Sequence, residues 1–112
     1  MTEKFIKFGK NLVATEEFVA EGHSFCVGCG EALALRLACK ALGRNVIIAN
    51  ATGCIEICTS PLPVTSWVVP WVHTLFENTA ATVSGIEAGL KILMKKGKMP
   101  ERDIKCVAVA GD

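Results

Sequence analysis

The chain has 112 residues, of which 51% are apolar and 21% charged, and its formal net charge is +1. This length allows one domain with its own core and excludes two. The charge gives no electrostatic basis for binding nucleic acid, because the lysines are scattered apart from the run "KKGK". The longest apolar runs are strand-sized and far below the ~20 residues that span a bilayer, so the apolar excess predicts buried interfaces with partner subunits.

The N-terminal 20 residues show no sustained period and predict an arm that lies on the rest of the protein. The opening "MTEKFIKFGK" alternates charged and apolar residues, which is unlike the apolar core of a signal peptide. We therefore expect a cytoplasmic protein with reduced thiols, in which residues 21–112 form the folded domain.

Residues 30–42, "GEALALRLACKAL", combine strong helix formers with apolar side chains at nearly every position. The exceptions are Glu31, Arg36 and Lys40, which predict a narrow polar stripe on an otherwise buried helix. Gly43 is a typical residue for the end of that helix.

The remaining chain predicts two buried strands and a second helix. The strands are residues 45–51 and 104–112, and the helix is residues 76–97, which is rich in small residues. Residues 52–73 contain three prolines and predict a long structured loop, a kind of segment that is often functional. The order helix, strand, loop, helix, strand is typical of an α/β domain with a mostly parallel sheet.

Four of the six cysteines follow the spacing C-x2-C-x24-C-x3-C, at Cys26, Cys29, Cys54 and Cys58. The other two lie within the predicted helix and the last predicted strand, where a small buried hydrophobe is expected. Without an export signal, clustered cysteines indicate metal ligands or a catalytic group more than disulfides.

Three kinds of cysteine site fit this spacing on chemistry alone. A closed zinc site would use all four thiolates, and a redox dithiol would use only Cys26 and Cys29. An iron–sulfur cluster would use these two, Cys54 and one further thiolate. Glycines at 28, 30 and 53 favour the cluster, because bare backbone beside thiolates allows N–H···S hydrogen bonds.

Four segments together carry a family resemblance: "CVGCGEALALRLACKALG", "VIIANATGCIEICTSPLP", "WVHTLFENTAATVSGIEAG" and "VAVAGD". In order and spacing they resemble the N-terminal part of the thiamine-diphosphate-binding β subunit of pyruvate:ferredoxin oxidoreductase (pyruvate synthase). The resemblance extends from about residue 20 to the end, and it implies the thiamine-diphosphate-binding α/β fold.

The resemblance implies that Cys26, Cys29 and Cys54 are ligands of a 4Fe–4S cluster. In that family the fourth ligand comes from a later part of the chain, so Cys58 is expected not to be a ligand. These three cysteines lie in the family's C-x-G-C-G-E and A-T-G-C motifs.

The resemblance also implies a site for thiamine diphosphate and Mg²⁺. Gly111 and Asp112 match the beginning of the family's GDG motif, in which the aspartate coordinates Mg²⁺, and the chain ends within that motif. Glu31, Thr52 and Gly53 are expected beside the thiamine, with Glu31 as a candidate catalytic residue. Glu31 alternatively serves as a first-turn acid that the helix dipole favours.

Other polar and aromatic residues are assigned structural roles. Asn78 is expected to cap the second predicted helix. Trp67 and Trp71 are expected to anchor an interface, and His73 is expected to be structural.

The implied activity is the reversible conversion of pyruvate, coenzyme A and oxidised ferredoxin to acetyl-CoA, CO₂ and reduced ferredoxin. The implied partners are the other subunits of the complex and ferredoxin, so residues 1–112 alone are expected to be inactive. The alternatives are a subunit acting on a branched-chain 2-oxoacid or on oxalate and, from a different class, a small four-cysteine zinc module.

Overall fold

A computed structural model describes residues 13–61 and 65–111, and it confirms an α/β architecture. Over these residues three parallel strands lie in the order β2-β1-β3, with helices connecting and flanking them. The elements in chain order are α1 (Gly30–Leu42), β1 (Val46–Ala51), α2 (Cys54–Thr59), β2 (Trp71–Thr74), α3 (Thr79–Lys95) and β3 (Lys105–Val109).

The central strand β1 carries most of the core. It is apolar and partly β-branched, and five of its six residues are buried, as expected for a strand with neighbours on both sides. Ile48 pairs with Trp71 of β2 on one side and with Val107 of β3 on the other. Phe18, Leu35 and other buried side chains pack into the same cluster. The predicted strand at 45–51 is confirmed, as is the predicted helix at 30–42. The helix predicted at 76–97 is confirmed over the shorter range 79–95.

The prediction of a loop over residues 52–73 is wrong at both ends, because the segment begins with α2 and continues into β2. The helix α2 ends at Thr59, just before Ser60 and Pro61, where the proline restricts the residue before it. The strand β2 begins after Pro70, whose carbonyl accepts the Ile48 N–H at 3.0 Å and so sets the pairing with β1. Elements of six and four residues are too short to show a hydrophobic period.

The helices expose more apolar surface than the sequence predicted. In α1 only Leu35 and Cys39 are buried, and in α3 only Thr79 is buried. The prediction that α1 is buried except for a polar stripe is therefore wrong for the described residues. Large side chains with more than half of their surface exposed are Val27, Leu33, Ile57, Leu75, Phe76 and Ile92. None of the helices within the described residues has the length and apolarity needed to cross a membrane.

The segment before α1 is fastened to that helix by ion pairs. Glu17 accepts hydrogen bonds from the Arg36 guanidinium, at 2.9 Å from Nε, and pairs with Lys40 Nζ at 2.9 Å. These bonds, first from Arg36 and then from Lys40, lower the pKa of Glu17 from 4.5 to about 2. Glu16 pairs in the same way with Arg44, whose Nε lies 2.7 Å from Oε1. Arg36 and Lys40 of α1 thus hold the predicted arm at Glu17, whereas residues 1–12 of that arm lie outside the described residues.

The start of α3 differs from the sequence-based expectation. Asn78 occupies the N-cap position, yet its side chain makes no capping hydrogen bond to α3 within the described residues. Its Oδ1 instead accepts the Leu75 N–H at 2.9 Å, which closes the turn that leads into the helix. Thr79 fixes the helix start, because its hydroxyl lies 2.6 Å from that of Thr74 at the end of β2, and both residues are buried.

Candidate functional site

The first cysteine pair lies in a tight turn that leads directly into α1. The Cys29 N–H donates to the Cys26 carbonyl at 3.1 Å, and Gly28 takes a positive φ of 74°. That backbone conformation favours glycine, which explains the glycine inside this pair. Cys29 is the N-cap residue of α1, so both thiols lie at the amino end of the helix.

The second cysteine pair lies on α2, directly beyond the carboxyl end of β1. Gly53 precedes the helix, and its carbonyl accepts the Ile57 N–H at 2.9 Å. Cys54 and Cys58 are four residues apart, and such a spacing places two side chains on one face of a helix.

The structure brings the two cysteine pairs together. The Ser24 N–H donates to the Cys58 carbonyl at 2.9 Å, which joins the segment before the first pair to α2. Burial raises the pKa of the Cys58 thiol, and the negative charges of Cys54, Cys26, Cys29 and Glu31 raise it further. These groups therefore lie within electrostatic range of Cys58.

The four thiols are neighbours without converging on one point. Within the described residues, no group of three or more His, Cys, Asp or Glu side chains is arranged to hold a metal ion. All six cysteines are free thiols. The chemistry of the donor set nevertheless fits an iron–sulfur cluster, since its ligands are cysteine thiolates supplied from short turns of this kind.

Thr52 lies at the junction between β1 and α2 and is tied to the end of β2. Its N–H and its hydroxyl both donate to the Thr74 carbonyl, at 3.2 and 3.1 Å. Its hydroxyl also lies 2.8 Å from Nε2 of His73. The turn of Thr52 and Gly53 is thus fixed against β2, while Glu31 lies exposed in the first turn of α1.

One residue at this junction was missed from the sequence. Glu56 of α2 was not singled out, yet its Oε1 lies 3.7 Å from Nδ1 of His73, beside Thr52. The carboxyl ends of adjacent parallel strands meet at one edge of the sheet, so residues that follow β1 and β2 could be expected near each other. Predicting which of them are in contact required the register, which pairs Asn50 with His73.

The expected Mg²⁺ site is only partly within the described residues. Gly111 follows β3 and is exposed, whereas Asp112 lies outside the described residues. Asn50 fixes the end of β3, because its Nδ2 donates to the Val109 carbonyl at 3.2 Å. Gly111 therefore lies at the same edge of the sheet as Thr52.

A cavity of about 720 Å³ lies elsewhere, between the N-terminal segment and α1. None of the predicted site residues lines it. Its walls include Glu17, Phe25, Leu33, Arg36 and Val68.

Comparison with known proteins gives the same family as the sequence motifs. The chain is 54% identical over 98 residues to pyruvate synthase subunit PorB of Methanocaldococcus jannaschii, which covers 87% of this chain. The chain resembles pyruvate synthase subunit PorB. It is also 47% identical over 100 residues to the PorB subunit of Methanothermobacter thermautotrophicus. No family model matches the chain.

A relative with another substrate in its name is similar as well. The chain is 43% identical over 97 residues to ketoisovalerate oxidoreductase subunit VorB of Pyrococcus horikoshii, which covers 87% of this chain. The chain spans about a third of the length of these relatives, 33% of both PorB proteins and 31% of VorB.

Proposed function

We propose that this chain forms part of the thiamine-diphosphate-binding subunit of a 2-oxoacid:ferredoxin oxidoreductase that acts on pyruvate. The similarity to PorB over 87% of the chain supports this proposal most directly. The backbone hydrogen bond from Ser24 to Cys58, which joins the two cysteine-bearing segments, also supports it.

In this proposal Cys26, Cys29 and Cys54 hold a 4Fe–4S cluster. The two segments that carry them are already joined by the Ser24–Cys58 backbone hydrogen bond. Backbone N–H groups in the Gly28 turn and at Gly53 are available to the cluster sulfides, and such bonds tune the reduction potential of a cluster.

The carboxyl ends of β1 and β3 are assigned to thiamine diphosphate and Mg²⁺. Asp112 would bind Mg²⁺, for which a carboxylate oxygen is a suitable ligand, and Gly111 would let the backbone approach the diphosphate. Thr52 and Gly53 would separate the cofactor from the cluster, and Glu31 would face it from α1. The bound thiamine would accept the electrons released when a 2-oxoacid loses CO₂.

The proposed partners follow from this division of roles. The complex would take pyruvate and coenzyme A, release acetyl-CoA and CO₂, and pass the electrons to ferredoxin in the cytoplasm. Residues 21–112 would be the N-terminal part of the cofactor domain and residues 1–20 its arm. The isolated chain would be inactive, because it supplies only one side of the site.

The deciding measurement is iron, zinc and acid-labile sulfide per chain in the native complex, purified without oxygen. The proposal requires about four irons and about four sulfides attributable to this subunit. It also requires ferredoxin reduction that depends on pyruvate and on thiamine diphosphate. One zinc without sulfide would overturn the proposal and leave the four-cysteine zinc module.

A second candidate substrate is ketoisovalerate, which the similarity to VorB favours. The two substrates are separated by comparing kcat/KM for pyruvate and for 3-methyl-2-oxobutanoate in the same complex. One methylene group is worth about 1–3 kcal/mol in a fitted apolar pocket, or roughly 10- to 200-fold, and the two substrates differ by more than one such group. We expect pyruvate to be favoured, and a higher kcat/KM for the branched substrate would assign the chain to the second class.

A further inference from the structure

One imidazole ring contacts the chain on both sides of Cys54. His73 Nε2 lies 2.8 Å from the hydroxyl of Thr52, two residues before this cysteine. His73 Nδ1 lies 3.7 Å from Oε1 of Glu56, two residues after it. The histidine belongs to β2 and the cysteine to α2, so these contacts fasten the start of α2 to a neighbouring strand.

A hydrogen bond at 2.8 Å joins Nε2 of His73 to the Thr52 hydroxyl, whose oxygen also lies 3.1 Å from the Thr74 carbonyl. The opposite nitrogen, Nδ1, faces the Glu56 carboxylate.

The Glu56 carboxylate is itself held in place. Its side chain is only 12% exposed, and its Oε1 accepts a hydrogen bond from the Ser60 hydroxyl at 2.7 Å. A carboxylate with few other positions available offers the imidazole a fixed contact.

The plane of the imidazole is fixed by stacking. The ring of Trp71 lies 6.1 Å from that of His73 at an angle of 11°, and the ring of Trp67 lies 5.6 Å from Trp71 at 15°. Trp67 is anchored to α2, because its Nε1 donates to the Thr59 hydroxyl at 2.8 Å. Such stacking lowers the rotational freedom that the ring would lose on binding Thr52.

We propose that His73 is a positioning residue for Cys54. Through its hydrogen bond to Thr52, His73 clamps the turn that presents this thiolate. This inference rests on the proposed function, in which Cys54 is a cluster ligand. Residues around metal ligands orient them, and removing one such residue typically costs 10- to 100-fold in metal affinity or activity. The Thr52 contact carries the clamp, and the Glu56 contact orients the ring.

The test compares two variants at position 73, each of which places an amide nitrogen at the position of one of the two imidazole nitrogens. In His73→Gln the amide nitrogen occupies the position of Nε2 and still reaches Thr52. In His73→Asn the amide nitrogen occupies the position of Nδ1 and loses Thr52. The readout is the rate at which iron leaves the purified full complex in an excess of chelator. This rate is measured from the loss of cluster absorbance.

We expect iron release to be roughly 10- to 100-fold faster in His73→Asn than in the unaltered complex, and near the unaltered rate in His73→Gln. The matched control is Glu87→Gln, which removes the exposed Glu87–Lys91 ion pair on α3 and should leave the rate unchanged. Equal release rates in the two His73 variants, whether slow or fast, would overturn the clamp.

A second background keeps the inference testable if one variant assembles poorly. In Thr52→Val the hydroxyl is absent, so adding His73→Asn should cause little further acceleration. A full additional effect would overturn the inference. If the unaltered complex contains no iron, the proposed function fails, whereas the inference alone fails if iron is present and the His73 variants release it normally.

Discussion

At the level of single residues, Cys58 distinguishes an iron–sulfur cluster from a four-cysteine zinc site. It is half-buried on α2, one turn after Cys54, and its carbonyl accepts the Ser24 N–H from the segment before the first cysteine pair. A cluster of the kind that the PorB resemblance implies takes its fourth ligand from elsewhere, whereas a zinc site within this chain would require Cys58.

We predict that replacing any one of Cys26, Cys29 or Cys54 by serine removes most of the iron and labile sulfide from the purified complex, because each substitution deletes a thiolate ligand. The Cys58→Ser complex should keep both. Cys106→Ala serves as the control, since this thiol lies on β3, away from the site. Loss of metal in Cys58→Ser as complete as in Cys54→Ser would show that all four thiolates of this chain bind.

At the scale of elements, the buried Thr74–Thr79 hydroxyl pair joins the end of β2 to the start of α3. The Thr74 hydroxyl also donates to the Asn50 carbonyl at 3.1 Å, so the pair connects β1, β2 and α3. Leaving a buried hydroxyl short of a partner costs about 1–3 kcal/mol.

We predict that Thr79→Val lowers the local opening free energy of the first turn of α3 by about 1–2 kcal/mol, because the shape is kept and the hydroxyl is lost. Hydrogen exchange of the Thr82 amide, which donates to the Asn78 carbonyl, measures this change. Thr79→Ser keeps the hydroxyl and should lose less protection. Equal losses in the two variants would mean that methyl packing, and not the hydrogen bond, holds the helix start.

The ion pairs between the arm and α1 give a pH-dependent attachment. The pKa of Glu17 is lowered to about 2 by hydrogen bonds from Arg36 and Lys40. A carboxyl group with a lowered pKa stabilises the folded state above its unfolded pKa of 4.5, and the contribution is lost as the pH falls toward 2.

We predict that Glu17→Gln lowers the hydrogen-exchange protection of the Ala20 amide, which donates to the Ser66 carbonyl at 2.8 Å. In the unaltered protein this protection should also fall between about pH 4.5 and 2, and in the variant this part of the pH dependence should be absent. Glu21→Gln is the control, because Glu21 has no ion pair within the described residues. An unchanged pH profile in Glu17→Gln would show that the arm is held by its other contacts.

At the scale of the whole molecule, exposed apolar side chains lie around the candidate site. Phe76 is 73% exposed and follows β2, Ile57 lies next to Cys58, and Val27 lies between Cys26 and Cys29. Apolar side chains concentrated near one site are typical of surfaces that other protein segments cover.

We predict that Phe76→Glu lowers the affinity of this subunit for the rest of the complex at least about tenfold, because a charge would replace an aromatic contact at the interface. Recovery of the other subunits with a tagged form of this chain measures the loss. Lys98→Glu adds negative charge at an exposed polar position and should leave recovery unchanged. Full recovery with Phe76→Glu would place the interface elsewhere.

The elements that are long or strongly patterned could be predicted from the amino-acid sequence alone. Helix α1 has the bounds that were predicted, and β1 and β3 lie within the predicted apolar runs. The cysteine spacing and the glycine beside each pair were sufficient to locate the candidate site. These features depend on local backbone preference and on hydrophobic period, which are properties of contiguous sequence.

The contacts between distant segments, by contrast, depend on the tertiary structure. The strand β2 is held by pairing with β1, Glu17 is held by charges on α1, and His73 reaches Thr52 because Asn50 and His73 share a register position. The exposure of α1 and α3 was likewise not predictable. An apolar side chain indicates that a position is buried, but it does not indicate which segment or partner covers it. Short elements and side-chain clamps are stabilised by non-local partners, and the register and packing that select those partners do not appear in any single stretch of sequence.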